Sequence, residues 1–183
     1  VRGALGRLYD LLPGKRIVLD PLRRMVRLPE PVFRHLHFRG IFTVRAGPGS
    51  FRLRHHGTQI ENEIFWMGLE GGWEPATLRL WLRLAATAAT VVDVGANTGV
   101  FALAARAVNR TARVVAIEPV EEVWRRLDDN CRLNGGTVET VRAAATDRDG
   151  TAELLVPEGE NPLSASLEPG GYAGDLPLRL VQV

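Results

Sequence analysis

The stretch VVDVGANTGV, residues 91–100, constrains the fold more than any other part of this chain. Three valines around one aspartate read as a buried strand, and the small residues that follow read as a tight turn. FALAARAV then has helical periodicity. A glycine turn between a strand and a helix places free backbone amides, and the positive end of the helix dipole, where a ligand can sit.

The neighbouring sequence repeats the alternation. PATLRLWLRLAA, residues 75–86, predicts a helix with Pro75 in its first turn and Leu78, Trp81, Leu82 and Ala85 on one stripe. ARVVAIEP predicts a second strand, stopped by Pro119. EEVWRRLDDNCRLNG predicts a third helix ending at Gly135, and TVETVRAAATD a third strand. TAELLVP reads as a fourth strand, and LPLRLVQV as another near the end. The order α-β-α-β-α-β over residues 75–147 implies parallel pairing and a layered α/β sheet. VVDV and VVAI are nearly continuous apolar runs, which predicts that both sheet faces are covered.

Residues 1–50 are less regular. LGRLYDLL and LDPLRRMVRL have short helical periodicity, and RHLHFRGIFTVRAGPGSFRLRHHG reads as strand and turn broken at Gly47-Pro48-Gly49. The chain divides on this reading into an N-terminal segment, 1–50, and a partial catalytic domain, 51–183.

Composition narrows the function. Of 183 residues, 45% are hydrophobic and 24% charged, as in an ordinary globular domain. The net charge of +2 comes almost wholly from arginines, and these are scattered, which argues against nucleic acid as a partner. Cys131 is the sole cysteine, so no internal disulfide and no multi-cysteine metal site can form. No apolar run reaches the ~18 residues of a membrane span. A cytoplasmic protein without metal or membrane partners is expected. His35, His37, His55 and His56 read as surface or strand residues, and Cys131 as semi-buried helix packing. Trp66 and Trp73 fit equally a pocket wall or a core cap.

The turn carries the chemistry. Gly95 permits backbone angles closed to other residues and leaves room for a ligand, and Gly99 lets the next helix approach the strand. Glu118 ends the second strand 23 residues after Gly95, close to the ~20 expected of an acid that grips ribose hydroxyls. A nicotinamide site would use G-x-G-x-x-G, with its second glycine against the pyrophosphate. Here that position is Asn97, and Asp93 would repel a diphosphate. An acid at the turn suits a nucleoside bearing an ammonium group, such as S-adenosylmethionine, with Asp93 acting on the amino group directly or through water.

VVDVGANTGVFALAARA, VVAIEPVEEVWRRLDDNCRLNG and VRAAATDRDGTAELLVP, with ENEIFWMGLEGGWEP upstream, resemble the FkbM family of S-adenosylmethionine-dependent methyltransferases over about residues 51–183. The resemblance implies a Rossmann-like class I methyltransferase sheet and methyl transfer to the hydroxyl oxygen of a small-molecule acceptor, such as a sugar or natural product. It matches Asp93, Gly95, Ala96, Asn97 and Gly99 to the cofactor loop and Glu118 to the ribose acid. It places Ala144 and Asp147 where such enzymes contact adenine, although TDRDG is also good turn chemistry. The family's next landmark, an acidic strand end resembling I-K-I-D-V-E-G, is missing from the 36 residues after Asp147. The expectation is therefore a sheet truncated after its third core strand, an unnamed general base, and self-association through an exposed strand edge. An inactive scaffold of the same fold and a nicotinamide-dependent oxidoreductase are the alternatives.

Overall fold

Alternation of helix and strand dominates the computed structural model, which describes residues 14–157 and 177–182. The elements are α1 (Lys15–Met25), α2 (Glu30–Phe33), β1 (Gly40–Ala46), β2 (Gly49–His55), α3 (Gln59–Met67), α4 (Pro75–Ala85), β3 (Thr90–Val94), α5 (Val100–Val108), β4 (Arg113–Ile117), α6 (Glu121–Leu133), β5 (Glu139–Val141), β6 (Glu153–Pro157) and β7 (Leu178–Gln182). The helical reading of residues 5–12 lies outside the described residues.

β3, β4 and β5 form a parallel sheet in that order, with Asp93 beside Ala116 and Ile117 beside Val141. Each strand joins the next through a helix. This is the Rossmann-like α/β arrangement, in which helices cross between parallel neighbours. The third strand is shorter than its sequence suggests: only Glu139–Val141 pair, and residues 142–146 run on without regular structure. The predicted fourth strand does form, but not in this sheet. β6 pairs antiparallel with β7 and packs its Leu154 and Val156 on Val120 and Val123 at the start of α6.

The irregular N-terminal stretch contains a hairpin. β1 and β2 pair antiparallel across the turn at Gly47, with Val44 opposite Phe51 and Phe42 opposite Leu53. Phe42, Val44, Ala46, Phe51 and Leu53 alternate inward, the period-2 pattern of a half-buried ribbon. The hairpin packs on α5 and α6, and one apolar core runs without a break from Leu19 to Val138.

α3 begins with a capping box. Thr58 is its N-cap, and Glu61 three residues on accepts from both the amide and the hydroxyl of Thr58. α4 starts at Pro75, which suits a first turn because proline's missing N–H would have no helical partner there. α6 stops at consecutive left-handed glycines, Gly135 and Gly136, whose amides return to Arg132 O and Cys131 O at 3.0 and 2.9 Å.

β3 departs from the expectation of two covered faces. Val91 and Asp93 point into the protein, but Val92 and Val94 remain 51% and 59% exposed. Both valines form part of a cavity wall. β3 is also the edge of the three-stranded sheet among the described residues. Among those residues no helix is long and apolar enough to cross a membrane.

Candidate functional site: a cavity over the first strand's turn

The turn after β3 is held by the second strand. The amides of Gly95 and Ala96 both donate to Ile117 O, each at 2.9 Å. Gly95 is left-handed, with φ 75°, and a Cβ built on it would meet nothing within 4 Å. The space above this residue is open. Asn97 is left-handed too, at φ 49°. Asparagine tolerates that conformation because its short side chain can bond locally, and here Asn97 Oδ1 accepts from the Thr98 amide at 2.8 Å.

Glu118 closes the frame. Its Oε2 accepts from the Asn97 amide at 3.0 Å and its Oε1 from the Val120 amide at 3.0 Å. The acid at the end of β4 thus ties the β3 turn to the start of α6. Burial pushes its carboxyl above the ordinary range, against the two amide bonds, which favour the ionised form.

Asp93 is also engaged. Its Oδ2 accepts from the amide of Ala102, in the first turn of α5, at 3.0 Å. It therefore caps α5 from the adjacent strand. The helix dipole favours a carboxylate here by at most ~2 kcal/mol, but burial outweighs it, and the carboxyl is pushed up to about 6.

Gly99 contributes differently from its sequence reading. With φ 91° it is the N-cap of α5, and a Cβ there would lie 2.7 Å from Leu127 Cδ1 on α6. It makes room for the neighbouring helix and not for the strand. Asn130 of α6, fully buried, donates to Thr98 O at 2.9 Å and accepts from the Arg54 amide at 3.0 Å. One amide side chain thereby links the hairpin, α6 and the turn.

A cavity of about 590 Å³ opens over this frame, a size suited to a small organic ligand. Asp93, Gly95, Ala96 and Asn97 line it. Glu118 lies behind the turn and reaches the lining only through Asn97. Ala144 is half-buried in the stretch after β5, and Asp147 is exposed with an ion pair to Arg148 at 3.6 Å.

The remaining walls were only partly legible in the sequence. Gln59 of α3, Glu74 before α4, Thr77 and Trp81 of α4 and Phe101 of α5 also belong to the lining. The density of tryptophans ahead of the glycine turn was the available signal. The structure separates Trp73 from Trp66. Trp73 lines the cavity and meets Phe101 edge to face at 5.7 Å, whereas Trp66 stacks with Phe33 and donates to Leu36 O at 3.0 Å. Trp81 is fixed by donating to Phe101 O at 2.9 Å.

The other singled-out groups lie away from the cavity lining. His55 is buried, and burial lowers it to about 4. Its Nδ1 accepts from the Gly57 amide, so Nε2 carries the proton and donates to Asn62 Oδ1 at 3.3 Å. Cys131 is fully enclosed instead of semi-buried, and burial pushes its thiol up to about 12, which makes it unreactive.

No protein-family model matches the chain, and no curated protein matches it. Among solved structures, it is similar to an S-adenosylmethionine-dependent methyltransferase from Agrobacterium tumefaciens, at 18% identity over 59% of this chain and 34% of that one, with a TM-score of 0.40. It is also similar to TYW2 of P. horikoshii in complex with MeSAdo, at 19% identity over 75% of this chain and 66% of that one, with a TM-score of 0.35. The chain thus spans about a third of the first protein's length and about two thirds of the second's.

Proposed function

We propose that this chain binds S-adenosylmethionine over the β3–α5 turn and serves methyl transfer to a hydroxyl oxygen of a small molecule, in the manner of the FkbM family. One observation carries the reading: the acid that ends the second strand, Glu118, is locked to the glycine turn of the first strand through Asn97, beside a cavity of nucleoside size. Room above Gly95, where an added Cβ meets nothing, fits a ligand lying against backbone.

S-adenosylmethionine supplies a methyl group on a sulfonium, open to in-line displacement. The chain's own residues bind and orient. Glu118 keeps lone pairs beyond those used by the two amides, enough to accept from ribose hydroxyls. Val100 and Phe101, at the N-terminus of α5, offer positive potential to a carboxylate. Trp73, Trp81 and Phe101 exclude water from one side of the cavity. The base that takes the acceptor's proton is not assigned.

Calorimetry with S-adenosylhomocysteine and with NAD tests the reading. Binding of the first and not the second is expected, because Asn97 stands where a dinucleotide site needs glycine. Gly95→Val should abolish that binding while the fold persists, since the added atoms enter the cavity and not the core. Binding of NAD alone would overturn the assignment.

A further inference from the structure

We infer that Glu74, backed by Trp73, Trp81 and Phe101, receives a positively charged group of the ligand in the cavity; the assignment rests on the cofactor reading above.

Among the described residues, two that are not glycine take a left-handed backbone: Asn97, at φ 49°, and Glu74, at φ 45° and ψ 52°. Both line the same cavity. For Asn97 a side-chain bond to the next amide offsets the conformation. Glu74 has no such local return. It sits at the N-cap of α4, yet its carboxylate makes no capping bond, and only its carbonyl serves the helix, accepting from Leu78 N at 3.0 Å. Glycine would fill the position without strain, and serine, aspartate or asparagine would cap better. A strained residue that gives its helix nothing through its side chain points to a use outside the helix.

The charge balance of the cavity points the same way. One oxygen of Asp93 accepts from the Ala102 amide, and Glu118, whose oxygens each accept from one amide, stands behind the lining. Glu74 is exposed, and its carboxylate makes no hydrogen bond or ion pair among the described residues. Of the two carboxylates in the lining, Asp93 and Glu74, it is the one with neither oxygen engaged. The aromatic residues that share its cavity suit a cation. Trp73 and Trp81 each meet Phe101 edge to face, with centroids 5.7 and 5.3 Å apart. Aromatic faces attract cations, including those too poorly hydrated to need a hydrogen bond. A carboxylate beside such rings recognises an ammonium or a sulfonium.

The test is calorimetry on the full chain and on Glu74→Gln, with three probes at one salt concentration: S-adenosylmethionine, S-adenosylhomocysteine and 5′-methylthioadenosine. They carry a sulfonium and an ammonium, an ammonium only, and neither. Glu74→Gln should weaken S-adenosylmethionine by at least about fivefold and leave 5′-methylthioadenosine unchanged. A loss shared by S-adenosylhomocysteine identifies the ammonium as the group held; a loss confined to S-adenosylmethionine identifies the sulfonium. Equal weakening of all three probes would mean a structural role, and no weakening would mean no contact; either result overturns the assignment while leaving the cofactor reading intact. Failure of the unaltered chain to bind any of the three would overturn that reading and this assignment with it.

Discussion

At the scale of single residues, the site is organised by where carboxylates spend their oxygens. The sequence points to Glu118 as an acceptor for ribose hydroxyls, and in the structure its two oxygens accept from the Asn97 and Val120 amides. Glu118→Ala would leave both amides without that acceptor. An orphaned buried amide costs roughly 1–3 kcal/mol, and relief of a desolvated charge offsets part of the total. The net loss should be about 2–3 kcal/mol in chemical denaturation, with Glu118→Gln losing less because it keeps one carbonyl oxygen. A loss below about 0.5 kcal/mol would show that the turn stands without Glu118.

Between elements, contacts of long sequence separation decide how the hairpin meets the α/β layer. Asn130 of α6 and Asn134, its C-cap, serve the outer edge of β2 as a neighbouring strand would. Asn134 accepts from the Arg52 amide and donates to the Arg52 carbonyl, both at 2.7 Å, and Asn130 takes the Arg54 amide. The edge is thereby blunted against further pairing. The Arg52 guanidinium adds a bond to Leu133 O. The opposite contact is set by Gly49, where an added Cβ would stand 2.0 Å from Ala107 O on α5. Both partners there are backbone, so neither can swing aside. Gly49→Ala should cost about 3 kcal/mol or more, read as a lowered denaturation midpoint. A variant as stable as the parent would mean that the hairpin does not lie against α5.

For the whole molecule, buried titratable groups of opposite sign shape the response to pH. His55 is lowered to about 4 from an ordinary 6.5. The unfolded chain binds its proton first, so its contribution to stability is present above pH ~6.5 and is lost as pH falls toward 4. Asp93 is raised from 3.8 to about 6. Its contribution is present below pH ~3.8 and is lost as pH rises through 6. At 1.36 kcal/mol per unit, each amounts to roughly 3 kcal/mol over the same window, and the two oppose each other. Burial also raises Glu61 and Glu118, which act in the direction of Asp93. Relative to the parent, Asp93→Asn should lose more stability on going from pH 6.5 to 4, whereas His55→Gln should lose less or gain. Denaturation curves across that range check both signs; parallel pH profiles for parent and variants would contradict the assignment of either group.

The sequence by itself determined the α/β layer and the core of the candidate site. Apolar runs of strand length, helical stripes and glycine punctuation are local signals, and α4, β3, α5, β4 and α6 follow them within a few residues. Asp93, Gly95, Ala96 and Asn97 were legible for the same reason, since one turn brings them together. Tertiary structure alone decided the rest. The Asp93 carboxylate meets Ala102 because α5 folds back onto β3, and Gly99 meets Leu127 because α6 reaches over the turn. Residues 142–146 follow the third strand's pattern without pairing, since β-propensity needs a neighbouring strand to act on. Gln59, Glu74 and Trp81 reached the cavity through the docking of α3 and α4 on the turn. Trp81 shares a helical stripe with Leu78 and Leu82, so nothing within α4 distinguishes a cavity wall from a core face, and Gln59 and Glu74 read as ordinary polar residues at helix starts.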